Sequence, residues 1–327
     1  MKVQTPNRIL VTGGAGYVGS VVVDELLRQG ARVRVLDALA HGTVSSLLPH
    51  WGRTDFEFVH GDVRDAKARA DVLRDIDGVV HLAAVVGDPA CAREPELAKE
   101  VNVEATRRLV DDASKAGVEG FVFASTCSNY GKMSEGALAT EEDELRPVSL
   151  YAETKVGCEP YILSRNGNGP VCTCLRFATV YGTSPRMRFD LTVNEFTREV
   201  ALDRELVVFG EQFWRPYIHV RDVATAVALV LGAPHDAVAG EVFNVGATSE
   251  NYRKLDLVEI LKSRFSHAIV SFVHKDEDPR DYRVSFEKVK SRLGFVPTRT
   301  VADGIAEVAA LLQSGLLADP DAPIYKN

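Results

Sequence analysis

The sequence predicts an α/β fold, a doubly wound parallel sheet that carries a smaller mixed lobe toward its C-terminal end. Three observations predict it. Short β-branched runs alternate with helix-length patterns through the first half. A glycine-rich turn joins the first such run to the first such helix. A chain of 327 residues, 46% hydrophobic and 26% charged, suffices for one large α/β unit or two unequal ones. Parallel strands need a right-handed crossover, so the alternation puts helices on both faces of one sheet.

Taken in order, Ile9-Leu10-Val11-Thr12 reads as the first strand, and residues 18–30, apolar at three- and four-residue spacing, as the first helix. Arg32 to Leu36, Phe56 to Val59 and Val79 to Leu82 read as the next three strands. A helix over 96–117 leads to a fifth strand at Gly120 to Ala124, and a helix over 149–165 to a sixth at Val171 to Leu175. Beyond about residue 178 the pattern loosens into a helix from Leu191 to Leu202, a strand at Leu206 to Phe209 and a helix from Asp222 to Leu231. Glu241 to Gly246 reads as a strand returning to the sheet. Pro279, Pro297, Pro320 and Pro323 break up the remainder. The expected division is a sheet unit over 1–178, with 216–246 returning to it, and a second lobe from 179–215 and 247–327.

Composition narrows the function classes. Net charge is −8, with both signs mixed along the chain, so no basic face for nucleic acid is expected. No apolar run is long enough to span a bilayer, and Met1 to Arg8 leads straight into the first strand without the apolar core of an export signal. A cytoplasmic protein is expected. Cys91, Cys127, Cys158, Cys172 and Cys174 include no C-x-x-C pair, which argues for reduced thiols and against a disulfide framework or a zinc site.

Thr12-Gly13-Gly14-Ala15-Gly16-Tyr17-Val18-Gly19 follows a strand and opens a helix, the context in which a glycine fingerprint points to a dinucleotide. It reads as G-x-G-x-x-G from Gly14 or G-x-x-G-x-x-G from Gly13. In either register the glycines give a tight turn, let backbone approach a pyrophosphate and let helix pack on strand, while the helix N-terminus favours negative charge. The architecture is then of the Rossmann type. Asp37 ends the second strand, where a carboxylate accepts from the adenosine ribose and repels a 2′-phosphate, favouring NAD over NADP. The same residue suits the opening of a turn. Asp62, after the third strand, is a candidate for the adenine amino group.

Tyr151-x-x-x-Lys155 places a phenol and an ammonium four residues apart on one helix face. A phenol of ordinary pKa about 10 is a poor base at neutral pH, and positive neighbours would lower it. Ser125-Thr126-Cys127-Ser128 follows the fifth strand, at the carboxyl edge where such sheets bind ligands. His81 and His219 read as satisfied structural histidines.

These motifs together with His81-Leu82-Ala83-Ala84, Asn102 and Arg176-Phe177 resemble the extended short-chain dehydrogenase/reductase superfamily. Arg215 to Ala224 is similar to the segment that marks its NAD-dependent nucleotide-sugar epimerase/dehydratase family. The resemblance runs from about residue 8 to 312. It implies that Gly13, Gly16 and Gly19, with the backbone of Tyr17 and Val18, hold the pyrophosphate of NAD. Asp37 would take the ribose, Asp62 and Val63 the adenine, and Leu82, Ala83 and Ala84 would line the cofactor. It further implies that Thr126 orients the substrate, Tyr151 is the general acid/base, and Lys155 binds the nicotinamide ribose and lowers the tyrosine pKa. Arg215, and with it Arg280, would grip the diphosphate of a nucleotide sugar. A homodimer through helices 96–117 and 149–165 is expected on the same ground.

Family dehydratases carry an Asp-Glu pair after the catalytic threonine, and family decarboxylases a glutamate at the second of those positions. This chain has Cys127 and Ser128 there. Hydride chemistry at a secondary alcohol remains, with sugar C4 the expected centre and 4-epimerisation through a keto sugar the expected outcome. A 4-dehydrogenase or 4-ketoreductase that releases its product is the alternative. A protein that binds NAD without turnover would be free to lose Thr126, Tyr151 or Lys155, and all three are present. Two departures mark the substrate side. Thr179 stands where the family commonly has a phosphate-holding asparagine, and Ser184 to Asp190 differs from the loop of UDP-galactose epimerases. Arg186 and Arg188 in that loop are candidate phosphate ligands, or else a solvated basic turn; Cys127 and Ser128 are candidate substrate contacts.

Overall fold

A computed structural model describes residues 7–41, 44–134, 136–275 and 280–327. Its centre is a seven-stranded, wholly parallel sheet. The chain enters through β1 (Arg8–Thr12), α1 (Tyr17–Arg28), β2 (Arg32–Asp37), β3 (Phe56–His60) and α2 (Ala66–Val72). It then crosses to β4 (Gly78–His81) and runs through α3 (Asp88–Arg93), α4 (Pro95–Lys99), α5 (Thr106–Lys115), β5 (Gly120–Thr126), α6 (Leu150–Leu163) and β6 (Val171–Phe177). The order β3-β2-β1-β4-β5-β6 reverses direction at β1, which opens a crevice between the carboxyl ends of β1 and β4.

Successive strand residues face opposite sides, so one strand feeds two cores. Ile9 and Val11 pack with Val22 and Leu26 of α1, whereas Leu10 packs with Leu109 of α5 and Ile162 of α6. All are fully buried.

The second lobe begins with β7 (Thr179–Tyr181), α7 (Thr192–Ala201), β8 (Leu206–Phe209) and β9 (Trp214–His219). From α8 (Val220–Leu231) the chain returns to the central sheet: α8 packs against α1, and after the short α9 (His235–Val238), β10 (Val242–Val245) extends the sheet beside β6. The last segment is β11 (Asn251–Arg253), α10 (Lys254–Arg264), β12 (Val270–Val273), α11 (Glu287–Leu293) and α12 (Val301–Gln313). A small β11-β9-β7 sheet and a β12-β8 pair cover a third core that includes Tyr181, Phe196, Tyr217, Leu257 and Ile305. Residues 216–219 thus lie in the small sheet, and the return to the central sheet starts at Val220.

The helix expected over 96–117 is divided. A wide π turn over 100–105 separates α4 from α5. Asn102 in that turn accepts from Val85 N at 2.8 Å and donates to Val85 O at 3.0 Å and Thr154 Oγ1 at 3.2 Å. Its buried amide ties the strand-end loop after β4 to α6, and the extra residue in the turn lets it face inward. Among the described residues no helix is long and apolar enough to cross a membrane. No group of three or more His, Cys, Asp or Glu among them is placed to hold a metal, and all five cysteines are buried thiols.

Candidate active site

A cavity of about 470 Å³ lies along the carboxyl ends of β1, β2, β4 and β5. Every residue assigned to the cofactor from sequence lines it: Gly13, Gly16 to Gly19, Asp37, Asp62, Val63, Leu82 to Ala84, Tyr151 and Lys155. Thr126, Ser128, Thr179, Arg186, Arg188 and Arg280 join them. Cys127 and Arg215 do not line it.

The glycine loop resolves its own register. Gly13 has φ +74°, and a Cβ there would meet Ala83 N at 2.8 Å. A Cβ on Gly19 would strike the Gly13 carbonyl. A Cβ on Gly16 would meet only Gly13 O, at 3.2 Å, so this glycine leaves the cavity side open. Gly14 instead backs onto Val35 of β2. Gly13, Gly16 and Gly19 line the cavity and Gly14 does not, and Gly16 N-caps α1 without any side-chain cap on the first turn. Those helix N–H groups and the macrodipole favour an anion.

Asp37 serves its own loop as well as the cavity. Its carboxylate accepts from Ala15 N at 2.9 Å and from Leu39 N at 2.8 Å. It both steadies the glycine turn and opens the next one, with acceptor capacity left over. Asp62 takes a bidentate contact from Arg64, at 2.7 Å to Nη2, which holds its carboxyl below the ordinary range.

At the other end Ser149 caps α6, accepting from Ala152 N at 3.3 Å and donating to Asp88 Oδ1 at 2.6 Å. Asp88 Oδ2 accepts from Arg280 Nη1 at 2.8 Å. Asp88 is a cavity residue that the motif reading missed, although Gly87-Asp88-Pro89 carries the acidic and proline signal of a helix start at a sheet edge. Asp278 and Pro279, ahead of Arg280, lie outside the described residues. Lys155 is buried, donates to Ala124 O at 3.0 Å, and stands 6.0 Å from the Tyr151 ring centroid. Thr126 Oγ1 accepts from Ser128 N at 3.1 Å and shares a 2.9 Å hydrogen bond with Ser128 Oγ.

Burial pushes the Tyr151 phenol well above its ordinary value, with Cys91 adding to the rise and Arg188 opposing it. Burial also lowers the Lys155 ammonium to about 8. Desolvation thus outweighs the opposing field of Arg188 at this phenol.

Cys127 turns away from the cavity. Its Sγ donates to Arg176 O at 3.1 Å, and burial pushes the thiol up, so it is an inert packing group. Arg215 is buried in the second lobe, 5.5 Å from the Tyr282 ring, with Nη1 donating to Trp214 O at 2.6 Å. His81 bridges Thr12 and Thr106 hydroxyls at 2.7 and 2.8 Å, and burial lowers it to about 3. His219 pairs with Glu307 at 2.6 Å. Both histidines are structural.

The model of the family described as "NAD dependent epimerase/dehydratase family" matches residues 9–246. The chain belongs to that family. A dTDP-glucose 4,6-dehydratase of Streptomyces niveus is 33% identical over 312 residues, covering 92% of this chain and 91% of the relative. A UDP-glucose 4-epimerase of Halalkalibacterium halodurans is 31% identical over 311 residues, covering 88% and 90%. The structure of the Thermus thermophilus UDP-glucose 4-epimerase in complex with NAD superposes with TM-score 0.82 at 28% identity, covering 94% of this chain and all of that one.

NAD is the cofactor of this epimerase/dehydratase chain, and the cavity fits it. The open side of Gly16, the uncapped start of α1 and the carboxylate of Asp37 match a diphosphate flanked by a ribose.

Proposed function

We propose that this chain is an NAD-dependent nucleotide-sugar 4-epimerase. The observation that carries the reading is the β5 edge: Thr126 and Ser128 offer only hydroxyls, and Cys127 is turned inward, where a dehydratase needs carboxylates to move water. When bound, NAD would supply reversible hydride acceptance at C4. The glycine loop and α1 hold its diphosphate, Asp37 its adenosine ribose, and Lys155 the ribose beside Tyr151. Thr126 orients the sugar hydroxyl toward Tyr151. Tyr151 would first lose its phenol proton to solvent once positive charge stands beside it; as phenolate it would accept the O4 proton, and it would give that proton back when the 4-keto sugar is reduced on its other face. Arg280, tied through Asp88 and Ser149 to the start of α6, is the diphosphate ligand that couples substrate seating to the helix bearing Tyr151.

The test offers UDP-, dTDP-, GDP-, CDP- and ADP-sugars to the purified protein and follows product mass and NADH. Unchanged mass with inverted C4 and no NADH supports the epimerase. A product two mass units lighter with NADH accumulating establishes the dehydrogenase instead. Loss of water overturns the reading of the β5 edge. With the accepted sugar, Tyr151→Phe lowers turnover by about 10²-fold or more while NAD stays bound; a variant above a tenth of the wild-type rate removes Tyr151 from its role.

A further inference from the structure

Arg186 is only 4% exposed, yet its Nε has no hydrogen-bond partner. It lines the same cavity as the glycine loop. Among the described residues its guanidinium makes one hydrogen bond, from Nη2 to Lys326 O at 3.0 Å, and no carboxylate pairs with it. Two residues on, Arg188 is bidentate to Asp190 at 2.9 and 2.6 Å and is thereby neutralised. A buried guanidinium without an anion is costly, and such a group persists where a ligand completes it.

The backbone around Arg186 is fastened to the first turn of α1. Ser184 Oγ donates to Tyr17 O at 2.7 Å and meets Ser20 Oγ at 3.1 Å, while Arg186 N donates to Ser184 Oγ at 3.3 Å. Tyr17 OH in turn donates to Gly182 O at 2.7 Å. These bonds hold Arg186 at the first turn of α1, which follows the glycine loop, whereas Arg280 is held by Asp88, which also binds Ser149 at the start of α6.

We infer that Arg186 binds the pyrophosphate of the dinucleotide, closing over the glycine loop from the second lobe, and is not a ligand of the nucleotide sugar. A planar fork suits two phosphate oxygens where a point charge does not. The inference rests on NAD as cofactor and is independent of the sugar reaction.

Calorimetric titration of wild type, Arg186→Met and Arg186→Lys with ADP-ribose, and separately with UDP in saturating NAD, tests it. ADP-ribose affinity is expected to fall about 10- to 100-fold in Arg186→Met, less in Arg186→Lys, with UDP affinity unchanged. ADP-ribose binding equal to wild type overturns the inference; so does a loss confined to UDP or equal for both ligands. Circular dichroism checks each fold. Should Arg186→Met not reach the native spectrum, Arg186→Lys decides alone: several-fold weaker ADP-ribose with unchanged UDP supports the role, and unchanged ADP-ribose overturns it.

Discussion

Arg176 and Arg186 are equally buried, each 4% exposed, and they are buried in opposite ways. Arg176, on β6 beneath the catalytic edge, gives Nε and Nη2 to the two oxygens of Glu159 at 3.1 and 2.7 Å and Nη1 to Tyr130 OH at 2.9 Å. Glu159 also accepts from Ser125 Oγ at 2.5 Å and Asn129 Nδ2 at 3.3 Å, and Tyr130 OH donates to Asn244 Oδ1 at 2.8 Å. This network ties β5, β6, α6 and β10 together under Thr126 and Tyr151. Arg186 has no such set. The difference separates a charge that completes the fold from one that waits for a ligand. Its energetic signature is opposite in sign: removing half of a satisfied pair strands the other half, whereas removing a lone buried charge relieves a desolvation cost.

The largest effect follows from breaking the satisfied pair. Glu159→Gln leaves Arg176 buried beside a neutral amide and is expected to cost about 3–5 kcal/mol in urea unfolding at pH 7. The double change Glu159→Leu with Arg176→Met removes both charges and recovers most of that loss. A double variant as unstable as the single one would mean that the loss comes from packing, and would remove the distinction drawn for Arg176.

The second effect has the other sign. Without ligand, Arg186→Met is expected to be more stable than wild type by about 1–3 kcal/mol, because a chain of similar length replaces an unpaired buried cation. Saturating ADP-ribose should then stabilise wild type more than the variant, so the two unfolding curves approach each other or cross. An unliganded variant less stable than wild type would place Arg186 with Arg176 among the groups that hold the fold.

This contrast marks how far the sequence could be read. The six leading strands and the glycine turn are legible because each carries a hydrophobic run or a glycine whose need is local, as at Gly13 with its positive φ. Tyr151 and Lys155 share a face because helical spacing is regular. What stayed hidden depends on distant partners. The three-residue strands β7 and β11 are too short to show a period, and they exist because β9 runs between them. Cys127 sits between two cavity residues in sequence, yet the 3₁₀ turn that follows Thr126 rotates it onto the Arg176 carbonyl. Arg186 and Arg188 look alike in Pro-Arg-Met-Arg, and only Asp190 tells them apart. The desolvation that raises the Tyr151 phenol is likewise set by segments distant in sequence, whereas Lys155, four residues on, is visible there.

His81 shows a third way of burying a titratable group, neutral and satisfied at both ring nitrogens by Thr12 and Thr106. Its folded pKa is about 3, below the ordinary value of 6.5, so the unfolded chain binds the proton more readily. The stability this supplies is whole above pH 6.5 and is lost as pH falls from 6.5 toward 3, with a limiting slope of about 1.4 kcal/mol per pH unit. Between pH 7 and pH 5.5 wild type should therefore lose about 1.3 kcal/mol more than His81→Gln, whose amide does not titrate there. The quantity compared is the pH difference within each protein, so the uniform cost of the substitution drops out. Equal losses in the two proteins would mean that His81 accepts its proton inside the fold, with both threonine hydroxyls turned to accept from the imidazolium.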